Sequence, residues 1–488
     1  MKPMFDKLHE ECGVFGVYAK ESANVASLAY YALYALQHRG QESCGIAVND
    51  DGVITSHRDA GLVNEVFTDD VFKKLGRGRM AIGHVRYGTT GQNAGLNAQP
   101  LVVNHIKGCM ALAHNGNLTN DVELREGLEL NGSIFHTTSD TEVISYIIIK
   151  ERLSSPSIED ALCRAMGKLK GAFSLIVMSP TKLIAARDPL GFHPLCVGTL
   201  DGGYVFASET CALDSIGATF LRDVEPGEIV IADANGLRSI REHCHSGKKA
   251  HCVFELIYFA RADSVVDGAS VHLARQRAGS FLALEHPIQA DVVIGVPDTG
   301  IDAAIGYSRQ SGIPYDIGFI KNKYIGRTFI QPVQSDREDK VRIKLNPVAH
   351  VVANKRVVLI DDSIVRGTTG ARIVRLLRDA GATEVHMLSS APKFLYPCYF
   401  GTDIDSQDKL IAWNHTDDEI RNILGADSVG FLNPEHVTML AGCAGKEFCT
   451  ACFTGEYPCE PPRRTGRNKY ARKIGENAGK EKSDEELQ

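Results

Sequence analysis

The chain has 488 residues, enough for two to four domains that each bury a core of their own. Hydrophobic residues make up 44% and charged residues 23%, a globular composition that excludes collagen-like, coiled-coil and fully disordered chains. The 53 Lys and Arg residues against 60 Asp and Glu residues give a net charge of −7, without the basic excess typical of nucleic-acid binding, so no nucleic acid partner is expected.

The N-terminus and the cysteine content predict a cytoplasmic protein without a membrane partner. No apolar run approaches the ~20 residues that span a bilayer. The first twelve residues also lack the apolar stretch of a secretion signal. An odd number of cysteines, 13, favours thiols that act as nucleophile, metal ligand or core residue over a disulfide framework.

The first half of the chain predicts a layered sheet domain. Short apolar strands, for example residues 12–17 and 45–48, alternate with turns rich in Gly and Asn. One helix is predicted from Val25 to Leu36, where apolar residues recur at i, i+3, i+4 and i+7, and Gly40 follows close behind as a stop signal.

After about residue 245 the pattern predicts a parallel sheet covered on both faces. Residues 291–296 and 356–362 are nearly continuous apolar strands. The second strand leads through a Gly/Thr loop into a helix and then into a strand at 384–388, a right-handed βαβ unit. The apolar face of that helix consists of Ile373, Leu376, Leu377 and Ala380. Residues 461–488 are too poor in apolar side chains to pack and are predicted to form a mobile charged tail.

Cys12 is a candidate nucleophile because it opens the first predicted strand after eleven residues without a clear pattern. Cleavage before Cys12 would place a thiol and a free α-amine on one residue. An α-amine with a pKa near 8 is suited to accept the proton of the thiol at neutral pH. The alternative is a buried structural cysteine.

Three downstream segments offer the groups that bind and polarise an amino acid. Arg86 can clamp a carboxylate, and Asp140 can hold an ammonium group. The Asn115 amide and the Gly116 N–H can donate to a developing oxyanion. Alternatively, Asn115 and Gly116 form a turn and Arg86 makes a surface ion pair.

The ordered set of these residues resembles the class II glutamine amidotransferases, which hydrolyse glutamine on an N-terminal-nucleophile αββα sandwich. The resemblance implies such a domain over residues 12–245. It also implies that Cys12 is the nucleophile, that Arg86 and Asp140 bind glutamine, and that Asn115 and Gly116 form the oxyanion hole.

Residues 361–370, which follow the predicted strand 356–360, combine paired acids with a loop of small residues. Carboxylates at the C-terminal edge of a parallel sheet suit hydroxyl groups or Mg²⁺, and the N–H groups at a helix N-terminus suit a phosphate. Gly367 and Gly370 are expected to let the phosphate approach closely, because they have no side chain. The alternative is an ordinary strand-to-helix turn. The candidate ligand-binding residues are Asp361, Asp362, Ser363, Arg366, Gly367, Thr368, Thr369 and Gly370.

This stretch resembles the phosphoribosyl pyrophosphate (PRPP) signature of the type I phosphoribosyltransferases and implies such a domain over residues 246–460. Thr299 lies in a segment similar to the pyrophosphate loop of that family, and the resemblance implies a Mg²⁺ site at Thr299, Asp361 and Asp362. The basic segment 321–332 is similar to the loop that closes over PRPP, which implies contacts from Lys323, Tyr324 and Arg327. The alternative is a solvated loop.

Four cysteines form a third candidate site. Cys449 and Cys452 have the C-x-x-C spacing of a chelating pair, and Cys252 and Cys398 lie in similarly motif-like surroundings. Four thiolates can hold a [4Fe–4S] cluster or a zinc ion, and inert thiols are the third possibility. The positions resemble those of the iron–sulfur branch of the amidophosphoribosyltransferase family, and this resemblance implies the cluster.

The chain up to about Pro461 is similar to this family over nearly its full length. The resemblance implies transfer of ammonia from glutamine to PRPP, which yields 5-phosphoribosylamine, glutamate and pyrophosphate in the first committed step of purine synthesis. It also implies a propeptide at residues 1–11, feedback inhibition by purine nucleotides and a homotetramer. The alternatives are an amidotransferase with another acceptor and a non-catalytic PRPP-binding regulator.

Overall fold

The computed structural model describes residues 12–87, 95–244, 248–322, 345–402, 404, 406–442 and 447–462. Several predictions lie outside the described residues, namely those for the propeptide 1–11, for Lys323, Tyr324 and Arg327, and for all but the first two residues of the tail.

The first half of the described chain consists of two antiparallel sheets and the helices that cover them. Its strands are β1 Gly13–Ala23, β2 Ser43–Asp50, β3 Val53–Ala60, β4 Gly78–Arg86, β5 Leu101–His105, β6 Gly108–Leu118, β7 Gly171–Met178, β8 Leu183–Arg187, β9 Cys196–Leu200, β10 Gly203–Ala207, β11 Thr219–Asp223, β12 Ile229–Asp233 and β13 Gly236–Ile240. Its helices are α1 Val25–Ala35, α2 Val63–Val66, α3 Asp69–Leu75, α4 Asp121–Glu129, α5 Asp140–Ser154, α6 Ile158–Met166 and α7 Thr210–Ser215.

These elements stack in four layers. One sheet has the order β11-β9-β10-β1-β4-β2-β3, and the other has the order β13-β12-β8-β7-β6-β5. Side chains alternate along β1, so that Phe15 and Val17 pack against α1 while Val14 packs between the two sheets. Helices α5 and α6 cover the outer face of the second sheet. The predicted αββα sandwich and the predicted helix α1 are therefore confirmed.

The second half begins with short elements and continues into alternating strands and helices. Its strands are β14 His251–Cys252, β15 Val265–Val266, β16 Ala269–Ser270, β17 Val292–Gly295, β18 Phe319–Lys321, β19 Leu345–Pro347, β20 Arg356–Asp361, β21 Glu384–Ser389, β22 Ser428–Phe431 and β23 Phe448–Cys449. Its α-helices are α8 Val271–Glu285, α9 Gly300–Ser311, α10 Ala349–Val352, α11 Thr368–Asp379, α12 Ile411–Asn414, α13 Asp417–Leu424, α14 Pro434–Val437 and α15 Ala451–Thr454, with a π-helix at Glu255–Phe259 and a 3₁₀ turn at Gln407–Lys409.

A four-stranded parallel sheet in the order β17-β20-β21-β22 forms the centre of this half. On β20, Val358 and Ile360 pack in the cluster that includes α8 and α9, while Val357 and Leu359 pack in the cluster that includes α11. Both faces are covered, which explains the continuous apolar sequence of the strand. The βαβ unit is confirmed, although Ala380 lies just beyond the end of α11.

Ion pairs made by two buried arginines join the two halves. Arg187 of β8 donates two hydrogen bonds to the carboxylate of Asp267, at 2.7 and 2.8 Å. Arg39, which follows α1, does the same with Glu255 of the π-helix, at 3.0 and 2.6 Å. Among the described residues, no helix has the length and apolar character needed to cross a membrane.

Candidate active sites and a cysteine-lined cavity

Cys12 lies directly before β1 in the first sheet, beside the end of β4. Gly13 pairs with Val85, so the neighbouring Arg86 is brought close to Cys12 although 74 positions separate them in the sequence. The Cys12 thiol is half-buried, and its Sγ lies 3.9 Å from the carbonyl oxygen of Tyr87. Arg86 is only 4% exposed and lies 3.4 Å from Glu42, so it is a buried cation and not a surface ion pair.

Asn115 and Gly116 lie inside β6, where they pair with Ser174 and Phe173 of β7. The alternative prediction of a turn is therefore wrong. Gly116 has φ +141°, and an added Cβ would lie 2.2 Å from the carbonyl oxygen of Ala172, so only glycine fits.

The side chain of Asn115 is buried, and its Nδ2 has no hydrogen-bond partner in the described structure. A buried donor without an acceptor costs about 1–3 kcal/mol, and natural structures tolerate few of them. Such a donor is suited to bind an oxyanion that forms during a reaction, because the group is already desolvated and oriented.

Asp140 is the first residue of α5, where Ser139 caps the helix. One oxygen of its carboxylate accepts a hydrogen bond from the N–H of Leu118 at 3.0 Å. Burial alone would raise the pKa of Asp140, but His114, the Leu118 N–H and Arg86 outweigh burial and lower this pKa below its usual value. The carboxylate therefore stays ionised, as the binding of an ammonium group requires.

The paired acids lie at the C-terminal edge of the parallel sheet. Asp361 ends β20, Asp362 follows it, and both side chains are buried. Asp362 accepts hydrogen bonds from Ser363 Oγ at 2.6 Å and from the hydroxyl of Thr299, which precedes α9. The structure thus brings together the three residues that were predicted to form the Mg²⁺ site.

The loop after these acids ends at Gly367, which precedes α11. Gly367 has φ +83°, and Thr368 and Thr369 form the first turn of the helix, with Thr368 exposed to solvent. The N-terminus of this helix is therefore available to an anion. Gly370 is buried, and an added Cβ would lie 2.9 Å from Leu424 Cδ2; its predicted contact with a phosphate stays a prediction. Its small size serves packing between α11 and α13.

The four predicted cysteines line one cavity. Parallel pairing of β14 with β23 places Cys252 beside Cys449, and the helix α15 adds Cys452. Burial, with the neighbouring thiols of Cys398 and Cys449, raises the pKa of Cys452 well above its usual value. The remaining wall is mainly aromatic and consists of Phe192, His193, Phe254, Phe394, Phe400, Thr402, Ala451 and Tyr457. In the described parts of the chain, no three His, Cys, Asp or Glu side chains are arranged to hold a single metal ion.

Sequence reasoning missed a buried ionic network beside Cys12. Arg39 donates to Glu209 Oε1 at 2.6 Å and to Glu255, and none of these three side chains is more than 2% exposed. A signal was present in the sequence, because the polar residues Gln37–Arg39 follow an apolar helix directly. The two carboxylate partners of Arg39 lie 170 and 216 positions away in the sequence, so no local pattern could identify them.

Comparisons with known proteins agree with this geometry. Residues 84–215 match the family model of a glutamine amidotransferase domain, and residues 271–431 match that of a phosphoribosyl transferase domain. Fold and site therefore define an enzyme that joins a glutamine amidotransferase to a phosphoribosyltransferase.

Relatives narrow this class to one family. The chain is 48% identical to the amidophosphoribosyltransferase of Bacillus subtilis, over 93% of this chain and 95% of the relative, and 50% identical to that of Archaeoglobus fulgidus, over 92% and 98%. A solved structure described as glutamine PRPP amidotransferase from B. subtilis complexed with ADP and GMP is 47% identical, with a TM-score of 0.86 over 93% of this chain and 99% of that chain. The chain belongs to the amidophosphoribosyltransferase family.

Proposed function

We propose that the chain transfers the amide nitrogen of glutamine to PRPP, giving 5-phosphoribosylamine, glutamate and pyrophosphate as the first committed step of de novo purine synthesis. The observation that carries this proposal is the buried, unpartnered Nδ2 of Asn115, found among the described residues of a chain that also holds the 361–370 loop. Family membership supports the same reaction.

Glutamine hydrolysis begins with Cys12 in this proposal. After removal of residues 1–11, the α-amine of Cys12 accepts the thiol proton, and Sγ attacks the side-chain carbonyl of glutamine. Asn115 Nδ2 and the Gly116 N–H donate to the oxyanion of the tetrahedral intermediate. The intermediate expels ammonia, which takes the proton back from the α-amine, and water then hydrolyses the glutamyl thioester to glutamate.

Arg86 and Asp140 hold the substrate for this attack. The guanidinium of Arg86 binds the α-carboxylate of glutamine, and the ionised carboxylate of Asp140 binds its α-ammonium group. Electrostatic interaction between Arg86 and Asp140 contributes to the lowered pKa of Asp140, as expected for two groups that share one small ligand. The pair therefore selects a free amino acid.

The PRPP half of the reaction takes place at the edge of the parallel sheet. Asp361 and Asp362 contact the ribose hydroxyls, and Gly367, Thr368 and Thr369 hold the 5′-phosphate. The acids and the Thr299 hydroxyl also fit Mg²⁺, because this ion commonly takes only one or two protein carboxylates together with substrate phosphates. Bound Mg²⁺ would neutralise the departing pyrophosphate, and ammonia attacks C1 of the ribose.

The cysteine-lined cavity fits a [4Fe–4S] cluster better than zinc. A zinc ion requires ligands that converge on one point, whereas each thiolate of a cluster binds its own iron. Four thiols distributed over the wall of one aromatic cavity match the second arrangement. Iron and sulfide analysis of protein purified without oxygen tests this assignment, and zinc in place of iron would contradict it.

Three further properties follow from family membership as proposals. The B. subtilis relative is described as a complex with ADP and GMP, which supports feedback inhibition by purine nucleotides. Another related structure, with a TM-score of 0.87 and 48% identity, is described as the allosteric regulatory enzyme of purine biosynthesis. From family membership we also propose a homotetramer and a mature chain that begins at Cys12; the cytoplasmic location is proposed separately, from the sequence.

A glutaminase assay over a range of PRPP concentrations tests the proposed function. We expect PRPP to stimulate glutamate release, with one phosphoribosylamine formed for each glutamate. The Cys12→Ala variant should lose this activity and keep the reaction of PRPP with free ammonia. Glutamate release that does not depend on the PRPP concentration would favour an amidotransferase with another acceptor. PRPP binding without glutaminase activity would favour a non-catalytic regulator.

A further inference from the structure

The backbone of Cys12 is attached to the second half of the molecule through one buried side chain. Arg39 Nε donates to the carbonyl oxygen of Cys12 at 3.0 Å. The other guanidinium nitrogens of Arg39 donate to both carboxylate oxygens of Glu255, at 2.6 and 3.0 Å. Glu255 therefore orients the guanidinium that holds the carbonyl of Cys12, together with Glu209, which accepts a further bond from Arg39 Nη1 at 2.6 Å.

Glu255 is also linked to the segments that carry two of the cavity cysteines, directly to that of Cys252 and through His193 to that of Cys398. It begins the π-helix three residues after Cys252. Its Oε1 lies 3.3 Å from His193 Nδ1, and His193 Nε2 donates to the carbonyl oxygen of Phe400 at 2.9 Å. The N–H of Phe400 in turn donates to Cys398 Sγ at 3.5 Å.

His193 connects Glu255 to the loop of Cys398 through both of its ring nitrogens. One ring nitrogen of His193 faces a carboxylate and the other faces a carbonyl, and both of these groups can only accept. Glu255 lies between Arg39 and His193, and the charge of Arg39 and the hydrogen bonds of both neighbours lower the pKa of Glu255 against the effect of its burial.

The π-helix that carries Glu255 is bound by a buried arginine at its C-terminal end. The buried guanidinium of Arg275 donates to the carbonyl oxygens of Ile257 at 3.0 Å and of Ala260 at 2.6 Å. These bonds satisfy carbonyl groups at the end of the helix. The loop of Cys398 is also bound directly by β6, the strand that carries Asn115. Asn117 Nδ2 donates to the carbonyl oxygen of Tyr399 at 2.9 Å.

We propose that Glu255 is a positioning residue for glutamine hydrolysis, which holds Cys12 through Arg39 and ties it through His193 to the loop of Cys398. This inference rests on the proposed role of Cys12. In a mature chain that begins at Cys12, no peptide bond precedes the nucleophile, so its carbonyl anchor restrains rotation of the residue. Misplacement of a reacting group by about 1 Å can reduce a rate ~100-fold.

The test compares Glu255→Gln with Glu228→Gln. Glu228 is a matched control because its buried carboxylate also binds an arginine, Arg222, through two bonds of 2.7 and 2.9 Å, without contact to Arg39 or Cys12. For Glu255→Gln we expect PRPP-stimulated glutaminase kcat to fall at least tenfold, with less than a twofold change in the KM for glutamine. The rate at which iodoacetamide alkylates Cys12 should also change, whereas the ammonia-dependent reaction should stay intact.

Glu228→Gln should leave both activities and the alkylation rate at wild-type values. A wild-type glutaminase kcat in folded Glu255→Gln protein overturns the proposal, and so does an equal loss of the ammonia-dependent reaction, which would indicate general damage. If Glu255→Gln does not fold, Arg39→Lys must show the selective loss, because lysine cannot make the forked contacts. Absence of PRPP-stimulated glutaminase activity in the wild-type chain would instead refute the proposed function.

Discussion

The two candidate sites are built in opposite ways. The glutamine site takes Cys12, Arg86, Asn115 and Asp140 from both sheets and from the start of α5, so tertiary packing alone brings them together. The PRPP site takes most of its groups from the single stretch 361–370 at the end of one strand. A contiguous site can be identified from its sequence, whereas an assembled site depends on residues that no short motif contains.

The two sites also differ in how their charged groups are held. Around Cys12, Arg39 pairs with Glu209 of the same half, and Arg39 and His193 bind Glu255 of the other half. At the PRPP site, the hydroxyls of Ser363 and Thr299 satisfy Asp362 within a few residues of the sheet edge. We therefore expect glutamine hydrolysis to be sensitive to distant substitutions and PRPP binding to be sensitive mainly to local ones.

The largest effect on activity is expected when the unpartnered amide of Asn115 is removed from the candidate glutamine site. Asn115→Ala should lower glutaminase kcat about 10²–10³-fold with little change in the KM for glutamine, because the donor acts on the oxyanion. Since Nδ2 has no partner among the described residues, its loss should cost little stability. Steady-state assays of glutamate release and thermal unfolding measure the two effects.

Asn49→Ala is the matched control for that variant. Asn49 is equally buried in the same domain, but its Nδ2 donates to the carbonyl oxygen of Ser179 at 2.8 Å. Its loss should reduce stability and leave kcat unchanged. If Asn115→Ala behaves in the same way, Asn115 serves the fold and the proposed oxyanion hole is incorrect.

A smaller effect is expected at the contiguous site from Gly367→Ala. Alanine at φ +83° is strained by roughly 1–2 kcal/mol, and its Cβ would lie 2.5 Å from Ile411 Cδ1. Relief of this strain should displace the loop from the phosphate and raise the KM for PRPP roughly tenfold. Initial-rate measurements with free ammonia as the nitrogen donor isolate this half of the reaction.

Gly370→Ala separates phosphate binding from packing. Gly370 lies in the helix without a positive φ, and its new Cβ would meet the ends of the Leu424 and Met387 side chains, which can shift. We expect a loss of stability with less than a twofold change in the KM for PRPP. A larger effect on this KM than that of Gly367→Ala would place the phosphate nearer to Gly370 than to Gly367, whereas the sequence alone predicts a close approach at both glycines.

The contrast between a contiguous and an assembled site also explains which features the sequence could predict. Helix α1 and the unit β20-α11-β21 were predicted because their periodicity is local, and all four cavity cysteines were located by resemblance. Helices α5 and α6 were not predicted. The strand conformation of Asn115 depends on pairing with β7, almost 60 positions away, and the pairing of Arg39 with Glu255 spans 216 positions. Nothing in the neighbouring sequence encodes either contact.

The smallest expected effect concerns a histidine that supports the assembled site. His84 of β4 is fully buried, and its Nε2 donates to the carbonyl oxygen of His114, directly before Asn115. Burial lowers the pKa of His84 to about 3, so the ring stays neutral in the folded chain. In the unfolded chain, the pKa of histidine is about 6.5.

Between these two pKa values the unfolded state binds a proton that the folded state does not bind. The contribution of His84 to stability is therefore complete above pH 6.5 and is lost as the pH falls towards 3, by at most about 1.4 kcal/mol per pH unit. His84→Gln keeps an N–H for the His114 carbonyl and removes the titration, so the stability advantage of the wild type should shrink between pH 7 and pH 5. Hydrogen exchange of the β6 amides measures this difference within the first domain.

His350→Gln, at an exposed histidine, is the control for any effect on stability that a glutamine side chain has at a histidine position. If the difference between wild type and His84→Gln does not change with pH, the folded chain accepts a proton on His84 as readily as the unfolded chain does. In that case burial does not keep His84 neutral. His84 would then make no pH-dependent contribution to the stability of the strand that carries Asn115.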